Sequence, residues 1–340
     1  MTARGTAILV VGPSWVGDMV MAQSLFMRLR ERNPDAVIDV LAPGWSLPVI
    51  ARMPEVRNAI ELPFAHGELQ LAARRRLGLE LRQAGYAQAI VLPNSWKSAL
   101  VPFFAGIPRR TGYRREMRQG LLNDLRRLDR EVLGRTVQQF VALADGVEPS
   151  TAPIVPTPKL RVDTARGRQL RAELGLSSGP AVALMPGAEY GPAKQWPADS
   201  YGALAKDLAT RGIQSWTLGS AKEKALGEQI AYASDGAAIS LAGRTALVDV
   251  IDLLGQAQAA VSNDSGLMHV AAAVGTPLVA LYGSSSPTHT PPLSRDAQVL
   301  YLHLSCSPCF ERTCPLGHLN CLRGIAPQMV LERLPAGLRG

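Results

Sequence analysis

Asp18 is the single carboxylate in GPSWVGDMVM, a stretch that directly follows the apolar run AILVVG. Gly12 and Gly17 are spaced like the start of a phosphate-binding P-loop. That loop needs Lys and then Ser or Thr at the next two positions. Asp18 and Met19 stand there instead, so this is not an ATP-hydrolysis loop. Asp18 is expected to open a helix at the end of the first strand. There it is either a plain N-cap or a general base that the helix dipole keeps ionised. A second candidate is Lys194, one of six lysines beside thirty arginines. It lies in LMPGAEYGPAKQWP, where Pro186 and Gly187 turn the chain and Pro192 and Trp196–Pro197 stiffen it. An ammonium held in a rigid loop at a strand's carboxyl end suits a diphosphate as a point-charge partner. The alternative is a solvent-facing loop lysine.

A third stretch reads AAVSNDSGLMHVAAAVGTP. A strand ends near Ser262 and a helix opens around Ser265 and Gly266, whose backbone N–H groups could receive phosphate. Gly266 also lets the backbone come close to a ligand. Asp264 is a second candidate cap, or a partner for sugar hydroxyls. His269 lies one turn in, as a packing residue or a ligand contact. The fourth stretch, WTLGSAKEKALGEQI, ends a strand at Gly219 and places Glu223 in the following turn. An acidic residue there commonly holds ribose hydroxyls in nucleotide folds. A solvated helix-start glutamate is the plainer reading. Together with Gly187, these residues form the candidate donor-binding set.

Cys306, Cys309, Cys314 and Cys321 cluster in CSPCFERTCPLGHLNC. Four thiols could hold zinc or an iron–sulfur cluster, but this spacing is not a common zinc-ribbon pattern. The expectation is free thiols in a folded loop. No Asp-x-Asp pair of the kind that clasps a metal–diphosphate is present. No cofactor is therefore required, although Mg²⁺ could arrive with the diphosphate itself.

Positioning these groups requires strands that alternate with helices. Strands are expected at AILVVG, AVIDVLA and AQAIVLP, and later at AVALMPG, IQSWTLG, AAISLAG, AAVSND and PLVALYG. Helices are expected from about Asp18 and near 45–52, 68–84, 96–105, 198–211, 221–233, 246–257 and 265–274. This alternation implies α/β architecture with parallel sheets and right-handed crossovers. Apolarity on both strand faces fits sheets covered on both sides. VEPSTAPIVPTPKL carries four prolines and reads as a stiff linker. Two Rossmann-like domains, 1–160 and 161–340, are expected to face a central cleft. Ligands should bind outside the carboxyl ends of the strands.

The chain has 340 residues and a formal charge of +8. Between Arg109 and Arg135 nine arginines meet four acidic residues. This segment reads either as a solvated, Arg-rich helix pair or as a surface facing the phosphates of a lipid or substrate. It lacks the interleaved aromatics of a nucleic-acid module, so nucleic acid is not expected as a partner. No apolar run reaches bilayer length. The leading MTARGTAILVVGPSW reads as a first strand and not as a signal peptide. A cytoplasmic protein is expected.

GPSWVGDMVMAQSL, PGAEYGPAKQWP and NDSGLMHVAAAVGTP together resemble glycosyltransferase family 9, over nearly the whole chain from Ile8 to about Leu322. The tail CSPCFERTCPLGHLNCL is similar to that of the branch adding the second heptose and separates it from the branch adding the first. The resemblance implies a GT-B fold and an inverting transfer of heptose from ADP-heptose to the inner core of lipopolysaccharide. The acceptor would be heptosyl-Kdo2-lipid A, met at the inner face of the inner membrane. By resemblance, Asp18 matches the catalytic base and Lys194 the lysine beside the diphosphate. Asp264, Ser265, Gly266 and His269 match the donor-binding helix start, and Glu223 the acidic residue near the nucleoside. The first domain would hold the acceptor and the second the ADP-sugar. Members that transfer the first, second or third heptose share these donor motifs. A two-domain nucleotide-sugar epimerase is the rival within the fold. The missing Gly-x-Gly-x-x-Gly after the first strand argues against a dinucleotide oxidoreductase.

Overall fold

The apolar runs become the central strands, buried along almost their whole length. β1 (Ala7–Val11), β7 (Ala181–Met185), β10 (Ala259–Asn263) and β11 (Leu278–Tyr282) show one partly exposed residue between them, Ala7. The computed structural model describes residues 6–64, 67–146 and 148–339. The first five residues of the leading segment, and Val147 at the start of the proline-rich linker, lie outside the described residues. The chain forms two compact units, Met1–Pro158 and Lys159–Gly340.

The first unit holds a six-stranded parallel sheet in the order β3-β2-β1-β4-β5-β6. Its further strands are β2 (Val37–Ala42), β3 (Val56–Glu61), β4 (Gln88–Val91), β5 (Arg109–Tyr113) and β6 (Asp124–Arg126). The chain moves from β1 outward to β3, then returns to β4 on the other side of β1. This reversal puts a topological switch point between β1 and β4, which pair directly. Leu9, Val11, Leu41, Ala89 and Val91 pack with Val101 and Ile107 to form one core.

The second unit repeats the pattern as β12-β11-β10-β7-β8-β9. The added strands are β8 (Gln214–Thr217), β9 (Ala238–Ser240) and β12 (Gln298–Tyr301). Here the switch point lies between β7 and β10, which pair in parallel from Val182–Ala259 to Met185–Ser262. Trp196 and Tyr201 are fully buried and meet edge to face, with ring centroids 4.7 Å apart. The C-terminal residues Leu322, Ile325, Val330, Leu331 and Leu334 complete this core. The edge-to-face pair of Trp196 and Tyr201 adds about 0.5–1.5 kcal/mol beyond the area that it buries.

Two expectations are corrected. Asp18 does not cap its helix: the helix is Val16–Arg32, Trp15 occupies the cap position, and Asp18 is its third residue. The segment from Arg109 to Arg135 is not a helix pair. It forms β5 and β6 with turns between them, and the next helix begins at Thr136. Several of its arginines serve the backbone. Arg118 is buried and donates to the carbonyls of Pro93 and Tyr113, and Arg110 donates to those of Leu121 and Ile107. Arg109 and Arg126 pair with Asp124, and its carboxyl is held below the usual range by hydrogen bonds from Arg126, Arg109 and Thr111 that outweigh its desolvation. Among the described residues no helix is long and apolar enough to cross a membrane.

Candidate functional site

In the second unit, the loop after β7 and the turn after β10 leave adjacent strands at the switch point. The first carries Lys194, at the end of the short 3₁₀ turn Pro192–Lys194. The second carries Asp264. The two side chains meet there, with Lys194 Nζ 2.5 Å from Asp264 Oδ2 and side-chain exposures of 18% and 6%. Asp264 is therefore neither the cap of the following helix nor a solvent-facing group. Lys194 is not a bare cation, because its charge is balanced from within the protein.

Asn263 fixes this geometry, and the sequence reading passed over it. Its Oδ1 accepts from the Trp196 amide at 3.0 Å and from the Tyr201 hydroxyl at 3.1 Å, and its Nδ2 donates to the Pro186 carbonyl at 2.6 Å. One buried amide thus ties both ends of the lysine loop to the end of β10. The loop's other support comes from the cysteine segment. The Ala193 amide donates to the Arg312 carbonyl at 3.0 Å, and the Tyr190 hydroxyl to that of Phe310 at 2.7 Å. The Tyr190 ring lies 5.3 Å from Lys194 Nζ and 5.1 Å from Arg312 Cζ. Gly191 has φ +155°, and a Cβ there would stand 2.5 Å from the Arg312 carbonyl oxygen. Only glycine lets the two segments approach this closely.

The helix Gly266–Val274 starts at the same place. Ser265 takes the cap position, but its side chain makes no capping hydrogen bond; its hydroxyl lies 3.3 Å from that of Ser262. Ser265 and Gly266 are partly exposed. An uncapped helix start carries N–H groups and a positive dipole end that suit an anion. His269, in the fourth position, is buried. Desolvation pulls its pKa down to about 4, with Lys194 adding to the fall and Asp264 opposing it. The imidazole is neutral at pH 7.

Gly187, Gly219 and Glu223 also come together. A Cβ on Gly187 would stand 2.9 Å from Glu223 Oε1, and one on Gly219 would stand 3.0 Å from Glu223 Cβ. Glu223 Oε2 accepts from the Ser220 amide at 2.6 Å and from its hydroxyl at 2.5 Å, closing a capping box. Half of this carboxylate is thus committed to its own turn.

The four cysteines are free thiols. With Ala193, Ser284 and Leu319 among its walls, they line one cavity of about 20 Å³. The amides of Leu319, Leu316, Gly317 and His318 hold the Cys314 thiol below its usual pKa. Among the described residues no group of three or more His, Cys, Asp or Glu side chains is arranged to hold a metal ion.

Asp18 lies in the first unit, in the first helical turn after β1 at that sheet's own switch point, and is partly exposed. The motifs therefore sit on two sheets, each at the edge where strands end.

The profile of glycosyltransferase family 9 (heptosyltransferase) matches residues 74–320. The chain belongs to glycosyltransferase family 9. Family 9 relatives cover it almost end to end. Lipopolysaccharide heptosyltransferase 2 of Escherichia coli K12 is 48% identical over 97% of both chains. Lipooligosaccharide heptosyltransferase 2 of Haemophilus influenzae is 44% identical over 96% of this chain and 98% of its own. The solved structure of the E. coli ADP-heptose LPS heptosyltransferase II superposes with a TM-score of 0.87, at 46% identity and 98% coverage of each chain. The fold is of the GT-B type that this family member shares.

The sequence singled out Lys194, Asp264, Ser265, Gly266 and His269, and the structure brings them to one switch point. It missed Asn263, Tyr190 and Arg312. Asn263 had a signal, as a buried-strand end where the apolar run of β10 gives way to Ser262 and Asn263. Arg312 had none, because nothing local in CFERTC points to a loop more than a hundred residues earlier.

Proposed function

We propose that this family 9 enzyme transfers heptose, with inversion, from ADP-heptose to the inner-core heptose of lipopolysaccharide. The observation that carries this reading is the Lys194–Asp264 pair beside the uncapped helix start at Ser265 and Gly266. That arrangement supplies a fixed ammonium and free amides where a diphosphate would leave. The names of the close relatives supply the sugar and the acceptor.

In this reading the second unit holds the donor. Gly187 and Gly219 leave room beside Glu223, whose Oε1 takes a ribose hydroxyl. The first unit holds the acceptor. Asp18 removes the proton of an acceptor hydroxyl as that oxygen forms its bond to the anomeric carbon. The bond from that carbon to the β-phosphate oxygen breaks, and ADP leaves with the electron pair. Lys194 and the amides at Ser265 and Gly266 stabilise the charge that grows on the phosphate. Asp264 holds the ammonium in place and leaves the site's net charge low, so that the pocket favours the departing phosphate without trapping it.

A lipid-linked acceptor places the enzyme at the cytoplasmic face of the inner membrane. A net charge of +8 favours contact with that anionic surface. Raised salt is then expected to weaken acceptor binding more than ADP binding. The decisive assay supplies ADP-heptose with cores truncated before and after the first heptose. A gain of one heptose only by the core that ends in the first heptose supports the reading. Gain by the shorter core alone, or isomerisation of the donor without an acceptor, would replace it.

A further inference from the structure

The chain has five tryptophans, and they divide sharply. Trp196 and Trp216 are fully buried, whereas Trp15, Trp45 and Trp96 are 54%, 53% and 40% exposed. An indole left in water forgoes a large burial gain. All three exposed indoles lie in the first unit, each in the loop that leaves the carboxyl end of a strand: Trp15 after β1, Trp45 after β2 and Trp96 after β4. These strands are consecutive neighbours in the sheet. The three loops therefore span two strand spacings, about 10 Å, on the scale of a disaccharide. Asp18 lies three residues beyond Trp15.

The loops are held. Trp45 Nε1 donates to the Ser14 carbonyl at 2.8 Å, which sets this indole against the Trp15 loop. The Trp96 amide donates to Glu116 Oε2 at 2.8 Å. Trp96, Glu116 and the 88%-exposed Met117 line an open hollow of about 570 Å³. Cations occupy the same edge on the far side of β1. Lys97 follows Trp96, and Arg114 and Arg115 follow β5, all at least partly exposed. One sheet edge thus presents indoles across β2, β1 and β4 and positive charge from β4 to β5.

We propose that this rim is the acceptor platform: Trp45 and Trp96, with Trp15 between them, stack against the sugar rings of a phosphorylated saccharide, while Lys97, Arg114 and Arg115 take its phosphates. Flat indole faces suit the C–H faces of pyranose rings, and guanidinium suits phosphate oxygens. The platform rests on the transfer reading above and goes beyond it in naming what grips the acceptor.

The test uses the full chain, ADP-heptose and a delipidated, phosphorylated inner-core oligosaccharide ending in the first heptose. Trp45→Ala and Trp96→Ala are each expected to raise the KM for the oligosaccharide about 3–10-fold. The KM for ADP-heptose should stay within about twofold, and Trp→Phe at either position should recover most of the loss, as for stacking. A fold defect would move both KM values, and the Phe variants keep the test intact if an Ala variant is unstable. Unchanged oligosaccharide KM in both Ala variants, with the wild type active, overturns the platform alone. A loss seen only with acceptor embedded in anionic phospholipid vesicles assigns the indoles to the bilayer and also overturns it. A wild-type chain that transfers heptose to no core removes the transfer reading and the platform with it.

Discussion

The carboxyl edges of the two sheets share a strand order and differ in what they present. In the second unit the edge is tied to itself: Lys194 to Asp264, Asn263 to the Trp196 amide and the Pro186 carbonyl, Tyr190 to Phe310. Its tryptophans are buried. In the first unit the edge presents indoles, Met117 and cations to solvent. One topology therefore carries two kinds of surface. A preset polar pocket suits a small anion whose charge changes during reaction, because its dipoles need not reorganise. A broad aromatic and basic rim suits a large, variable partner bound by area.

The largest expected effect tests which edge carries proton transfer. Asp18→Asn should lower turnover about 10²–10⁴-fold, the usual worth of a general base. ADP affinity, measured by calorimetry, should stay nearly constant, because the proposed donor site lies on the other edge. Wild-type turnover in this variant would move the base elsewhere, and lost ADP affinity would erase the division between the edges.

The second effect probes the interior of the donor edge. His269 has a folded-state pKa of about 4, below the ordinary value of about 6.5. Between those values the unfolded chain binds the extra proton, so stability falls as pH drops from about 6.5 towards 4. The full loss is about 3 kcal/mol at most. Urea unfolding of wild type and His269→Gln from pH 7 to pH 4 should show the wild type's advantage shrinking across that window. A constant difference would mean that His269 is not buried as a neutral ring.

The third effect separates Lys194 as ligand contact from Lys194 as partner of Asp264. Lys194→Ala should weaken ADP binding about 10–100-fold, as expected for loss of a charged hydrogen bond of about 1.5–3 kcal/mol. It should also lower stability by about 1–3 kcal/mol, because the Asp264 carboxylate is left buried without its partner. The double change Lys194→Ala/Asp264→Ala should regain most of that stability and little of the affinity. Recovery of full ADP affinity in the double variant would show that the lysine only neutralises the aspartate.

What the sequence revealed follows the same contrast. β7, β10 and β11 are apolar on both faces, and their runs could be read directly. β3 and β12 lie at sheet edges; β3 is mostly and β12 half exposed, so no long apolar run announced them. β5 and β6 were hidden by arginines whose partners are backbone carbonyls and Asp124, contacts that appear only once the chain has folded. The proposed donor residues sit in local motifs on two strand ends, which made them legible. The pairing of Lys194 with Asp264 joins positions seventy residues apart, and no spacing encodes it. The exposed tryptophans stood in plain view in the sequence. What distinguishes them is exposure on a shared edge, which requires the strand order.

The smallest expected effect is the sharpest control on the lysine loop. Lys222 and Glu189 form an ion pair of 2.7 Å, nearly as short as that of Lys194 with Asp264, and Glu189 belongs to the same loop. Distance alone would rank the two pairs together. Their side chains, however, are 74% and 51% exposed. Water screens such a pair, and the cost of ordering two long side chains offsets what attraction is left. Lys222→Ala is therefore expected to change neither the melting temperature nor ADP affinity measurably. If it matched Lys194→Ala in either, burial would not be what sets the lysine loop's electrostatics, and the preset character assigned to the donor edge would have to come from loop geometry alone.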